Sequence, residues 1–142
     1  MVSGNGCRTL HAQGVLHNDL KSDNIVLTAC TPATSKSVSQ KLWPMIVDFS
    51  KACPEDDGKT YHLQPTEIQQ YKKRYSHLAP DLVDGKVKQS TASDVYSFSR
   101  IVQKLSTVST VSEKDYPGLC ALCTTYTGSN RQKVHVTIST LQ

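Results

Sequence analysis

Apolar and polar positions divide this chain into short pieces. Cys7-Arg-Thr-Leu-His-Ala-Gln13 has the length of two helical turns, and Gly14 behind it suits a left-handed C-cap. Met1 to Gly6 is small, polar and glycine-bearing, which predicts disorder. The apolar pair Val15-Leu16 leads into a polar loop, and the triplet Ile25-Val26-Leu27 leads out of it. Asn24 to Leu27 and Met45 to Val47 read as two short buried strands of a hairpin. Between them lies a long polar tip, Thr28 to Pro44, rich in Ser, Thr and Lys.

Residues 51 to 78 are polar, with acids early (Glu55, Asp56, Asp57) and bases late (Lys72, Lys73, Arg74). Ser90 to Leu105 gives the strongest helical pattern, with Val95, Phe98, Val102 and Leu105 at three- and four-residue spacing. Thr91-x-x-Asp94 is the expected capping box at its start. Pro117 to Tyr126 reads as a further helix with proline near its start, and Val134 to Leu141 as a last one, weakened by β-branched residues. No repeat is visible.

Composition narrows the class. The 142 residues are at most one domain, and a hydrophobic content of 37% is low for a compact globule. A net charge of +4 without an arginine-rich or basic–aromatic run argues against a nucleic-acid surface. The five cysteines (Cys7, Cys30, Cys53, Cys120, Cys123) lack the second ligand pair that zinc needs, and Cys120-x-x-Cys123 falls within an apolar helical pattern. They read as free thiols. With no signal peptide and no apolar run of membrane length, the expected location is the cytoplasm, or the nucleus, with no membrane partner.

The chemistry concentrates in two stretches. His17-Asn-Asp-Leu-Lys-Ser-Asp-Asn24 holds Asp19, Lys21 and Asn24, and Ile46-Val-Asp-Phe-Ser50 supplies a second carboxylate, Asp48. A general base, a cation and two oxygen ligands converging on one point is what phosphoryl transfer from Mg·ATP requires. Taken singly, the first stretch is equally well a polar turn whose Asp and Asn bond only to backbone. Together, the stretches resemble a protein kinase. His17 to Asn24 is similar to H-R-D-L-K-x-x-N with one change, and Asp48-Phe49-Ser50 to D-F-G with one change. Ala79-Pro80-Asp81 resembles A-P-E, and Ser93-Asp-Val-Tyr-Ser-Phe98 resembles the core-helix signature S-D-V-W/Y-S-F-G.

The resemblance covers the second half of a kinase domain. It implies an α+β fold: a mainly helical C-lobe with a short β-hairpin beside the catalytic loop, and no N-lobe. Residues 1–142 would be a partial kinase domain with catalytic loop 17–24, activation segment 48–81 and core helix about 91–105. The implied function is ATP-dependent phosphoryl transfer to a protein hydroxyl, and the implied partners are a protein substrate, ATP and a missing upstream lobe. By the same resemblance Asp19 is the proton acceptor, and Lys21 sits near the transferred phosphate. Asn24 and Asp48 would ligate Mg2+, and Val26 with Ile25 and Leu27 would floor the adenine. Asp94 would hold the loop backbone, His17 and Phe49 would stack, and Asp81 would pair with Arg131 (eight residues after Cys123, as in C-x(7)-R-P, with Gln132 for the proline). Ser106 to Asp115 is too short for the usual substrate-docking helix.

Three departures stand out. Asn18 replaces the arginine that reads activation-loop phosphorylation, so that switch is expected to be missing. Ser50 replaces a glycine, and Arg74 stands where a threonine is usual. Tyr61, Thr66, Tyr71 and Tyr75 are candidate phosphosites, with ordinary loop hydroxyls the simpler reading. Two other functions compete with an active kinase. One is a catalytically silent, pseudokinase-like binding or scaffold protein. The other is a small-molecule kinase of the choline or aminoglycoside type, which His17-Asn18-Asp19 fits but Leu20-Lys21, Ala79-Pro80-Asp81 and Ser93 to Phe98 do not.

Overall fold

The computed structural model describes residues 3–30 and 41–108. Its elements are α1 (Ser3–Ala12), β1 (Val15–Leu16), β2 (Ile25–Cys30), β3 (Lys41–Ile46), β4 (Cys53–Pro54), α2 (Pro65–Arg74), α3 (Pro80–Val83) and α4 (Thr91–Val108). Single 3-10 turns cover Ser22–Asn24 and Glu55–Asp57. Helix and hairpin content fits the expected α+β class.

Helix α1 starts at Ser3, so Ser3 to Gly6 is helical where disorder was expected. The two glycines cost about 1 kcal/mol each relative to alanine. Packing of α1 against β1 and β3 offsets this. At the other end Gly14 has φ +66, and its N–H donates to His11 O at 3.0 Å. No neighbour crowds a Cβ there, so glycine is needed for its φ and not for space.

Strands β2 and β3 form an antiparallel ribbon in register Ile25↔Ile46 through Cys30↔Lys41. It is longer than the expected strands, and Pro44 sits within it opposite Leu27, which an unpaired outer edge tolerates. Nor are these strands buried as expected. Val26 is 46% exposed, Leu27 61% and Met45 51%. Within the described residues the ribbon is two-stranded, and these three side chains stay open to solvent although α1 packs on β3. Two-residue strands β1 and β4 pair antiparallel, Val15↔Pro54 and Leu16↔Cys53. This ladder ties the entry of the polar loop to the segment after Asp48.

The polar stretch 51–78 contains a helix that its sequence did not announce. Pro65 opens α2, the N–H of Gln64 donates to Glu67 Oε2 at 3.2 Å, and Lys72, Lys73 and Arg74 fill the last turn, where the helix dipole favours cations. Helix α2 packs on α3, and Lys72 pairs with Asp84 across them. The core beneath joins Ala79, Leu82 and Tyr96, with Tyr61 and Val87 packed against it. Gly85 closes α3 at φ +69, where an added Cβ would stand 2.6 Å from Tyr61 O.

Helix α4 runs three residues beyond the expected end, and its buried face differs from the predicted apolar stripe. Ser93, Asp94, Tyr96, Ser97, Ser99 and Ile101 are buried, whereas Leu105 is 57% exposed. Asp94 faces inward because it answers N–H groups of the polar loop, while Ser93, Ser97 and Ser99 satisfy their hydroxyls on local carbonyls, Ser90 O, Ser93 O and Tyr96 O. The expected capping box is replaced: Ser90 N–H donates to Ser93 Oγ at 3.0 Å, and Ser93 Oγ donates to Ser90 O at 2.6 Å. Asp94 is committed elsewhere. The helices expected at Pro117 to Tyr126 and Val134 to Leu141, the shortened 106–115 connection beyond Val108, Cys120, Cys123 and Arg131 lie outside the described residues.

Candidate active site

The site is built outward from Asp94, a carboxylate only 1% exposed. Its Oδ2 accepts the His17 N–H at 2.7 Å and its Oδ1 the Asn18 N–H at 2.8 Å. His11 Nε2 lies 3.1 Å from Oδ2. Two backbone donors of the polar loop are thus answered by one charged group from α4, 76 and 77 residues away. Charge-assisted bonds of this kind are short and strong, so the loop is pinned where it turns. Asn18 adopts φ +64, a left-handed conformation that asparagine tolerates better than most residues. Its amide donates to Lys51 O at 3.1 Å and Cys53 Sγ at 3.2 Å. At the position of the family's arginine, a neutral side chain therefore ties the loop to the segment entering β4.

His17 is buried, with Nε2 3.3 Å from Val47 O and its ring 5.0 Å from that of Phe49. This is the expected stack. It links the loop to the Asp48 turn, as does the bond from Val47 N–H to Asn24 O at 2.9 Å. Asp48 itself is exposed at φ +63, and Ser50 donates to its Oδ1 from both Oγ (2.6 Å) and N–H (3.3 Å). Those bonds hold the Asp48 carboxyl below the usual carboxylate range. Ser50 is not among the residues with positive φ, so the family's glycine is dispensable in this conformation.

Asp19 lies at the centre, its side chain 5% exposed. Lys21 Nζ approaches Oδ2 at 3.0 Å, and Asn24 Nδ2 donates to Asp19 O at 2.8 Å and to Oδ2 at 3.3 Å. Lys51 Nζ stands 3.0 Å from Oδ1 and His77 Nε2 3.3 Å from the same atom. Burial raises the Asp19 carboxyl, but hydrogen bonds and charges from Lys21 and Lys51 outweigh it and hold the group below its ordinary value. The Lys21 ammonium is raised by its bond to Asp19, partial burial opposing, with Asp23 and Asp48 adding to the rise. Asp19, Lys21 and Asn24 are thus joined by hydrogen bonds, and Asp48 meets them only through charge, acting on Lys21. Val26 lies two residues beyond on β2, on the exposed ribbon.

Lys51 and His77 were not foreseen as site residues. The only local hint for Lys51 was a cation immediately after Asp48-Phe49-Ser50. His77 arrives along a row of rings, Tyr61–Tyr71 (5.8 Å), Tyr71–Tyr75 (4.4 Å) and Tyr75–His77 (6.2 Å). The rings of Tyr61, Tyr71 and Tyr75 thus form a packed row leading to His77. Burial and neighbouring Tyr71 push the Tyr61 phenol up to about 12. Asp81 Oδ1 accepts the N–H of Leu82 at 2.9 Å, and the expected partner Arg131 falls outside the described residues.

The donor set suits a hard cation carrying phosphates. Asn24 spends its amide nitrogen on Asp19, so its oxygen is the atom that would face a cation, and Asp48 offers an exposed carboxylate. Among the described residues no three His, Cys, Asp or Glu side chains are grouped to hold a metal by themselves. Mg2+ needs no such group, since it commonly takes one or two protein oxygens and completes its shell with phosphate and water.

Comparison with known proteins agrees with this geometry. Residues 3–125 match the protein kinase domain, and the chain belongs to that family. It is 26% identical over 159 aligned positions to a probable serine/threonine-protein kinase of Dictyostelium discoideum, covering 96% of this chain and 24% of that protein. It is 29% identical to the probable serine/threonine-protein kinase gdt4 of the same organism, over 66% of this chain and 5% of gdt4. The serine/threonine/tyrosine-protein kinase HT1 of Arabidopsis thaliana is 29% identical, over 72% of this chain and 21% of HT1. The chain thus spans a quarter or less of the length of these relatives. Among the described residues, no helix is long and apolar enough to cross a membrane.

Proposed function

We propose that this chain is the C-lobe portion of an ATP-dependent protein kinase that transfers the γ-phosphoryl group of Mg·ATP to a protein hydroxyl. The observation that carries this reading is the pinning of His17 and Asn18 by buried Asp94, which sets Asp19, Lys21 and Asn24 beside Asp48. In this reading Asp19 orients the acceptor hydroxyl and takes its proton. The hydroxyl oxygen bonds to the γ-phosphorus as the bond to the bridging oxygen breaks, and ADP leaves with that electron pair. Asn24 and Asp48 would hold Mg2+, which would supply positive charge beside the phosphate oxygens. Lys21 steadies both the carboxylate of Asp19 and the incoming phosphate as a point charge.

The relatives' names favour serine or threonine as acceptor, as does Lys21 after the base. Retention of Asp19, Asn24 and Asp48 supports turnover over a silent scaffold. The exposed apolar side chains of the ribbon, Val26 and Met45 on one face and Leu27 on the other, together with half-exposed Phe49, fit a surface meant to meet nucleotide and a second lobe. The chain alone should therefore bind nucleotide weakly. The test is transfer from γ-labelled ATP to a degenerate serine/threonine peptide library, by the chain alone and by the chain fused behind a relative's small lobe. Label incorporated by the fusion and lost in Asp19→Asn supports the proposal; equal incorporation by Asp19→Asn would refute it.

A further inference from the structure

Asp19 is crowded. A carboxylate offers about four lone-pair directions, and here Oδ2 faces Lys21 and Asn24 while Oδ1 faces Lys51 and His77. An acceptor hydroxyl can reach this carboxylate only if one of the four donors leaves. Asn24 is buried and comes from the same loop as Lys21, and His77 stands two residues before fully buried Ala79. The Lys51 side chain is 54% exposed. Its backbone is held, since Lys51 O accepts the Asn18 amide and the turn around it is closed by Ala52 N–H on Phe49 O at 3.0 Å. The ammonium can thus swing away while the main chain stays, a side-chain motion of the ps–ns class.

We propose that Lys51 is a positioning residue that gates Asp19: its ammonium occupies the Oδ1 position where the acceptor hydroxyl docks, and the acceptor must displace it. The gate belongs to the same turn whose Ser50 occupies Oδ1 of Asp48, so two adjacent residues cover both carboxylates of the site. This inference rests on Asp19 as the base, but the contact itself is testable without turnover. The cost of displacement is that of a part-exposed ion pair, which limits the effect to a few-fold.

The contact is read from acetylation of individual lysines by an N-hydroxysuccinimide ester, followed by mass spectrometry on the 142-residue chain and its Asp19→Asn variant. Lys51 should react at least about twofold faster in Asp19→Asn, with exposed Lys59 and Lys73 as unchanged references. Equal Lys51 rates would overturn the proposal. In the lobe-completed fusion, Lys51→Met should lower KM for the peptide acceptor about two- to fivefold with kcat within about twofold, and Lys51→Arg should not. A KM that rises in Lys51→Met would mean that Lys51 binds substrate, and would equally overturn the gate. Protection of Lys51 in a fusion that transfers no phosphate would support the contact while counting against the kinase reading.

Discussion

Replacing Asp94 by alanine tests how the loop is held. The change leaves two buried N–H groups, those of His17 and Asn18, without their acceptor. An unsatisfied buried donor costs about 1–3 kcal/mol, so the pair should cost about 2–6 kcal/mol. A domain of this size has about 5–15 kcal/mol in all, so the variant should be severely destabilised. Asp94→Asn keeps one acceptor oxygen but turns an N–H toward the other donor, and should fall between the two. The assay is urea unfolding followed by the fluorescence of Trp43, together with amide hydrogen exchange of His17 and Asn18. Exchange at those two amides should accelerate in Asp94→Asn even under conditions where it stays folded. A loss below about 0.5 kcal/mol in Asp94→Ala, with exchange at both amides unchanged, would refute the claim that this carboxylate fixes the loop.

Leu82→Ala, at a residue 2% exposed between Ala79 and Tyr96, should cost about 2–5 kcal/mol by the same unfolding assay. Gly85→Ala should cost at least about 1 kcal/mol, because φ +69 strains any side chain and the new Cβ meets Tyr61 O. His77 supplies a pH effect: burial holds its imidazole below the ordinary value, and Asp19 only partly opposes this. The unfolded chain therefore binds the proton more readily, and stability present above about pH 6.5 falls as pH drops through the folded value. His77→Gln should flatten that slope in pH-dependent thermal melts.

What the sequence disclosed follows from the range of the interactions concerned. Asp19 and Asn24 were legible because their spacing is fixed within one loop, and α4 because its length makes periodicity visible. The β1–β4 ladder was not, since two-residue strands carry no period to read. Helix α2 hid in a polar stretch because its stability comes from Pro65, Glu67, the basic last turn and packing on α3, not from an apolar stripe. The buried face of α4 was misjudged for a related reason. Hydrophobic spacing pointed to Leu105, while the loop backbone required Asp94, and small serines bonded to local carbonyls share its buried face. His77 could not be found locally at all: it lies 58 residues from Asp19 and follows no motif.

In the proposed reading Asn24 and Asp48 would hold a divalent cation carried by ATP. Manganese in place of magnesium broadens the NMR signals of nuclei close to it, even when binding is weak. With Mn2+ and ATP added to the 15N-labelled chain, the side-chain amide of Asn24 and the backbone amides of Asp48 and Phe49 should broaden first. Asp48→Asn should abolish the effect. Broadening centred elsewhere, or unchanged in Asp48→Asn, would contradict the assignment of this site.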